Sequence, residues 1–186
     1  GNDSGGAGGV STAPDYLRFC QAMLNGGQLD GVRILSRSTV QLMTADHLGT
    51  SIATPVNPGQ LLLGAPGYTF GLGFLVRQVD GIAPVHGSAG EFMWAGYAGT
   101  YFWADPKEQI CAVYMTQSPS PLRAHYRRML KALVAQALVA ASGGRAQLAP
   151  ALLWRTRPTV GQHHLGRTLR ARNLQKAFEG LPCRDL

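Results

Sequence analysis

His86-Gly87-Ser88-Ala89-Gly90 is the first place in this chain where a nucleophile could sit. It is spaced like a nucleophile elbow, which exposes a serine on a strand-to-helix turn. That motif needs Gly where His86 stands, and no helix signal follows, so Ser88 is set aside. A Ser-x-x-Lys pair would place a nucleophile and its base on one helix turn. The residues three before Lys107, Lys131 and Lys176 are Ala104, Arg128 and Asn173, so the pair is not in this chain. There is no His-Glu-x-x-His for a hydrolytic zinc. Glu91 and Asp105 could act as acid and base, but both adjoin turns and read as solvated carboxylates. His47 stands alone after a helical pattern and reads as a capping or solvated histidine. Gly5-Gly6-Ala7-Gly8-Gly9 has neither the Gly-Lys-Ser/Thr ending nor the Gly-x-Gly-x-x-Gly spacing of a phosphate cradle. It reads as backbone crossing at close quarters. Cys20, Cys111 and Cys183 lie far apart without zinc spacing.

What remains is a strand edge. In Trp94-Ala95-Gly96-Tyr97-Ala98-Gly99-Thr100-Tyr101-Phe102-Trp103 the small residues come first and the aromatics second. Gly96 and Gly99 leave no side chain in the way, so the backbone there can approach something closely. Thr100 to Trp103 are β-branched and aromatic, as a strand requires. Asp105-Pro106-Lys107-Glu108 makes a turn, and residues 109–116 a returning strand. The glycine-bearing edge ahead of this hairpin is where chemistry is expected.

The elements that must position it follow in chain order. Ser11 or Thr12 caps a helix with Pro14 and Asp15 in its first turn. Tyr16, Cys20, Met23 and Leu24 form its buried face, and Asn25-Gly26-Gly27 stops it. Asp30-Gly31 turns between two short extended flanks. Ser36 or Ser38 caps a short helix with Val40, Leu42 and Met43 inward. Residues 47–66 read as an irregular surface excursion. Residues 68–77 read as one strand, with Phe70, Leu72, Phe74 and Val76 on one face and Gly71 and Gly73 on the other. Asp80-Gly81 reads as a hairpin turn. A long helix over residues 121–141 carries Leu122, Tyr126, Met129, Leu130, Leu133, Val134, Ala137 and Leu138 toward the sheet. Arg123, Arg127, Arg128 and Lys131 are expected away from much of that stripe.

Composition narrows the classes. The chain has 186 residues, is 45% hydrophobic and carries a formal charge of +7. Residues 1–142 hold nine Lys/Arg against eight Asp/Glu, whereas residues 143–186 hold eight against two. The basic excess thus belongs to a Pro- and Gly-interrupted tail, expected to be poorly ordered and dispensable for the fold. The nearly neutral body argues against a specific nucleic-acid partner. A basic-tail interaction protein stays open as an alternative. No apolar run is long enough for a membrane span. Cys20 and Cys111 fall in apolar patterns and read as small core residues. An odd number of scattered thiols points to a reducing, cytoplasmic compartment and leaves the periplasm open.

Four segments together resemble the C-terminal part of the serine β-lactamase-like family: class C β-lactamases, DD-peptidases and the related family VIII carboxylesterases. They are Gly8-Gly9-Val10-Ser11-Thr12 with its helix, residues 26–36, residues 68–74, and the edge from Trp94 to Phe102. The final helix is similar too, so the resemblance covers roughly residues 5–142. It implies an α+β fold, an antiparallel sheet flanked by helices, here without the part that carries Ser-x-x-Lys. Residues 1–142 would be the C-terminal portion of such a domain and residues 143–186 the tail.

The implied chemistry is acyl transfer through a covalent serine ester, without a cofactor or metal. In the esterase-like branch a Trp-Gly-Gly sequence replaces the Lys-Thr-Gly of β-lactamases. Trp94-Ala95-Gly96 occupies that place, and Ala95 departs from the usual Gly. Without a lysine at Trp94, neutral esters are favoured over β-lactams with a carboxylate. The resemblance makes Trp94, Ala95 and Gly96 substrate-binding residues and the Tyr97 backbone N–H the oxyanion donor. The plain alternative is that Gly96 and Gly99 relieve crowding in the sheet. The expected partners are a small ester or β-lactam-like substrate, and an N-terminal segment or a second copy covering exposed faces such as Phe70/Leu72/Phe74. A non-catalytic binding module of the same fold also stays open.

Overall fold

The computed structural model describes residues 9–49 and 58–141. The glycine-rich opening up to Gly8 and the basic tail over residues 143–186 lie outside the described residues. Helix α1 (Ala13–Leu24) starts where its capping signals predict: Thr12 accepts the Asp15 N–H and donates its hydroxyl to the Asp15 carboxylate at 2.6 Å. It ends as Gly26 and Gly27 donate back to Met23 and Ala22. Strands β1 (Gln28–Leu29) and β2 (Val32–Arg33) pair across Asp30-Gly31. Ser36 caps α2 (Arg37–Met43), which buries Val40 and half-buries Met43. Leu42, expected inward, is exposed, since two residues on from Val40 puts it on the opposite side of the helix.

Five strands form one antiparallel meander in chain order: β3 (Tyr68–Phe70), β4 (Leu75–Arg77), β5 (Phe92–Ala95), β6 (Tyr101–Asp105) and β7 (Ile110–Tyr114). The expected hairpin is β6–β7. Alternation splits the sheet into two cores. Val76, Phe92, Phe102 and Ala104 pack on Cys20 and Met23 of α1 and Val40 of α2. Leu75, Met93, Ala95, Tyr101 and Trp103 pack under helix α3 (Pro58–Leu63) and helix α4 (Arg123–Ala141). The result is an α+β arrangement with helices on both faces of an antiparallel sheet.

Residues 68–77 do not make one strand. They fold back through a turn in which Gly71 N–H donates to Phe74 O at 2.8 Å and Gly73 has φ +82°. Gly71 lies against the Met43 carbonyl with no room for a Cβ, and Leu72 N–H donates to the same oxygen at 2.9 Å. The close approach expected at Gly71 is real; its consequence is a turn. Phe74 therefore swings into the α1-side core and only Leu72 of the Phe70/Leu72/Phe74 set is exposed. Asp80-Gly81 is not a hairpin turn either. The link from β4 to β5 spans residues 78–91, and the Asp80 carboxylate accepts the Ala89 N–H at 2.7 Å near its far end. Within residues 47–66 the run Leu61-Leu62-Leu63 supports α3, with Leu63 fully buried. Residues 50–57 of that expected excursion lie outside the described residues.

The largest departure is the orientation of α4. Arg127 and Lys131 face the sheet, 1% and 3% exposed, while Leu122, Met129 and Leu133 are turned outward. Leu130 and Val134 still pack on the core. What lies under α4 is not purely apolar: the buried Glu91 carboxylate just before β5, the Gly96 carbonyl just after it and the Leu62 carbonyl of α3 are satisfied by the basic side chains.

Cys20 is fully buried and Cys111 half-buried. Burial, then proximity to Cys111, pushes the Cys20 thiol from an ordinary 9.0 up to about 12. Burial pushes Cys111 up to about 11. The folded chain keeps these protons where the unfolded chain loses them. The stability they carry is present below pH about 9 and is lost as pH rises through the two folded values. Urea midpoints should fall as pH is raised above 9, less steeply in Cys111→Ala; parallel curves would contradict this.

Candidate functional site

The edge singled out in the sequence lies where β5 outruns its neighbour. β4 pairs only with Phe92 and Met93, while β6 pairs with Phe92 through Ala95. Trp94 and Ala95 therefore have a ladder partner on one side only. Beyond them the chain closes a tight turn: Gly96 N–H donates to Thr100 O at 2.8 Å and Gly99 N–H to Gly96 O at 3.1 Å. Ser118 N–H holds Ala98 O at 2.6 Å. The structure thus brings Trp94, Ala95, Gly96 and Tyr97 together at one end of the sheet. Trp94 is partly exposed, with its ring edge-on to Phe70 at 5.6 Å. Ala95 is buried. Tyr97 is 79% exposed, and its backbone N–H donates to no described residue.

Local packing accounts for both glycines. A Cβ on Gly96 would collide with the Thr100 hydroxyl. Gly99 has φ +105°, and a Cβ there would meet Thr116 Cγ2 at 2.8 Å. The crowding expected as the plain alternative is present.

Residues of α4 complete the site, and the sequence reading placed them elsewhere. Arg127 donates through Nη2 to Gly96 O at 2.7 Å and Thr100 O at 3.4 Å, and through Nη1 to Leu62 O at 2.8 Å. Arg123 donates to Tyr97 O at 3.1 Å with its guanidinium 5.1 Å from the Tyr97 ring centroid. The available signal was the four-residue spacing of Arg123, Arg127 and Lys131, which puts three cations on one helix stripe.

Glu91 and Asp105 are not solvated. Both are essentially unexposed. Glu91 accepts the Tyr68 hydroxyl at 2.8 Å and the Lys131 ammonium at 2.5 Å, and Lys131 also lies 4.9 Å from the Trp103 ring centroid. Burial and then the Glu91 charge push the Tyr68 phenol well up, keeping it a neutral donor. Burial lowers Lys131, and Glu91 opposes that shift. Gly87 has no room for a side chain, because a Cβ would strike the Glu91 carboxylate. Asp105 accepts the N–H groups of Ser88, Lys107 and Glu108. Ser88 is thus buried, its amide tied to Asp105, and no described base is hydrogen-bonded to its hydroxyl. His47 sits at the end of α2, with Nε2 2.7 Å from Leu42 O, as a capping histidine.

A family model described as Beta-lactamase matches residues 1–136. Protein Rv1367c of Mycobacterium tuberculosis strain H37Rv is 39% identical over 118 residues, covering 60% of this chain and 28% of that protein. The esterase/beta-lactamase LipL of the same strain is 32% identical over 117 residues, covering 62% and 24%. The chain therefore spans less than a third of the length of these curated relatives. Among solved structures, the fold is similar to that of EstCE1, titled a hydrolase with promiscuous acyltransferase activity. The TM-score is 0.53 at 23% identity, covering 66% of this chain and 29% of that one. A LovD6 variant of the simvastatin synthase from Aspergillus terreus gives 0.53 at 22% identity, covering 67% and 34%.

The Gly96–Thr100 contact gives a direct test of the turn. Gly96→Ala should destabilise the chain by about 1–3 kcal/mol through overpacking. Thr100→Ala, which removes the hydroxyl in the way, should restore most of that loss in the double variant. Urea unfolding of the two single variants and the double variant measures it, and simple additivity would show that the Thr100 hydroxyl is not what excludes a side chain at position 96.

Proposed function

The chain belongs to the β-lactamase family, and we propose that it supplies the oxyanion-side strand of a serine hydrolase that works through an acyl-serine ester. The observation that supports the reading is the Tyr97 N–H: a donor with no partner among the described residues, in a hydrogen-bonded turn at the open end of β5. A carbonyl under attack gains negative charge on oxygen, and a preorganised amide stabilises that charge without reorganising. The substrate would lie along Trp94, Ala95 and Gly96. The Trp94 ring against Phe70 offers apolar surface to an acyl or alcohol group, and no cation stands at Trp94 to recognise a carboxylate. A neutral ester of a small molecule fits best. The serine would come from a Ser-x-x-Lys segment, which this chain's sequence does not contain. Its hydroxyl gives up its proton to that segment's base as the ester C–O bond forms, and the leaving group departs as the alcohol carrying that proton; water then releases the acid and restores the serine.

The 186-residue chain should neither hydrolyse p-nitrophenyl butyrate nor be labelled by a fluorophosphonate. Adding a family segment bearing Ser-x-x-Lys in trans should produce both activities on that segment's serine. In this mixture Tyr97→Phe should keep activity and Tyr97→Pro, which lacks the N–H, should lose about 10²–10³ in kcat. Circular dichroism checks that the Pro variant folds. Labelling of Ser88 in the chain alone, or full activity of a folded Tyr97→Pro variant, would sink the reading.

A further inference from the structure

We propose that Arg127 is the positioning residue of the Tyr97 amide: by gripping the Gly96 carbonyl it fixes and polarises the peptide unit that ends in the Tyr97 N–H. This rests on the oxyanion reading of Tyr97 for its catalytic meaning, but the physical claim stands on contacts. Gly96 C=O and Tyr97 N–H belong to one peptide group, which is planar and here trans, so the two point in opposite directions. Whatever holds the carbonyl aims the N–H. Two donors hold it, Arg127 Nη2 at 2.7 Å and Gly99 N–H at 3.1 Å. Arg127 is 1% exposed, and its guanidinium is also bound to Leu62 O at 2.8 Å. Its second anchor thus lies in α3, outside the turn. Arg123 takes the next carbonyl, Tyr97 O, from the same helix. The tip of the β5–β6 turn is thus read out by successive turns of α4.

The charge adds a second effect. A cationic donor on a carbonyl draws electron density through the amide and leaves its N–H more positive. A buried guanidinium does this with little screening. A neutral clamp such as a glutamine could hold the peptide without making it a better donor. The geometry therefore assigns Arg127 two tasks, aim and polarisation, that a purely structural side chain would not combine.

The test uses the isotopically labelled 186-residue chain. In the wild type, NMR should detect a through-hydrogen-bond coupling from Arg127 Nη2 to the Gly96 carbonyl carbon. In Arg127→Met the Gly96 carbonyl resonance should move upfield. Base-catalysed exchange of the Tyr97 amide should slow by about threefold or more, because the nearby cation is gone. A residue with only a structural role would loosen the turn on removal and leave that exchange unchanged or faster. Arg127→Lys, which keeps the charge but not the fork, should fall between. In the mixture with the Ser-x-x-Lys segment, Arg127→Lys should lower kcat per labelled serine by about tenfold with KM nearly unchanged. Absence of the coupling in the wild type overturns the proposal without any variant. So does an unchanged Gly96 resonance, or faster Tyr97 exchange, in a folded Arg127→Met chain. If the NMR effects appear while Tyr97→Pro stays active, Arg127 holds the peptide as proposed and it is the oxyanion reading that fails.

Discussion

A lysine ammonium 2.5 Å from a fully buried glutamate carboxylate fixes where α4 lies on the sheet. Taking both charges out of water is costly, and the pair regains that cost only with good geometry and further hydrogen bonds. Here Tyr68 satisfies the second carboxylate oxygen and the Trp103 ring lies near the ammonium. The value of such a pair is register. An apolar stripe can slide or rotate by a residue with modest loss, whereas a buried charge has one acceptable place. One helical turn before Lys131, about 6 Å along the axis, Arg127 reaches the carbonyls of Gly96, Thr100 and Leu62. A further turn back, Arg123 reaches Tyr97. A shift of one residue would turn the helix by about 100° and lose all three contacts at once.

The edge of β5 depends on that register. Its last residues are paired on one side only, and the turn after them contains two glycines. Such a segment has few ways to stay in one conformation. Gly96–Thr100 packing, the Ser118 bond to Ala98 and the two arginines supply it. What results is a turn held from several sides that carries the Tyr97 N–H at the open end of β5.

Much of this was legible in the sequence, and the exceptions share a cause. The cap of α1, the Asp30-Gly31 turn, the β6–β7 hairpin and the place of the edge were set by local preferences and were read from them. The orientation of α4 was not, because Arg127 and Lys131 look solvated until their partners, Glu91 and the Gly96 carbonyl, are known to lie beneath them. Glu91 and Asp105 were misread for the same reason: their partners, Tyr68, Lys131 and the Ser88 amide, come from distant parts of the chain. The split of residues 68–77 into β3 and β4 turns on one backbone contact, Gly71 against Met43, that no period-two pattern encodes. The four segments that carried the family resemblance lie within the span that the family model matches, residues 1–136.

The most direct test of the central claim is a double-mutant cycle between Glu91 and Lys131, read by urea unfolding of Glu91→Gln, Lys131→Met and the double variant. Each single change should leave a buried group without its partner and cost about 3–5 kcal/mol, with the double variant regaining on the order of 2 kcal/mol relative to additivity. Single changes that each cost less than about 1 kcal/mol and simply add would contradict it, and would leave α4 held by its apolar residues alone.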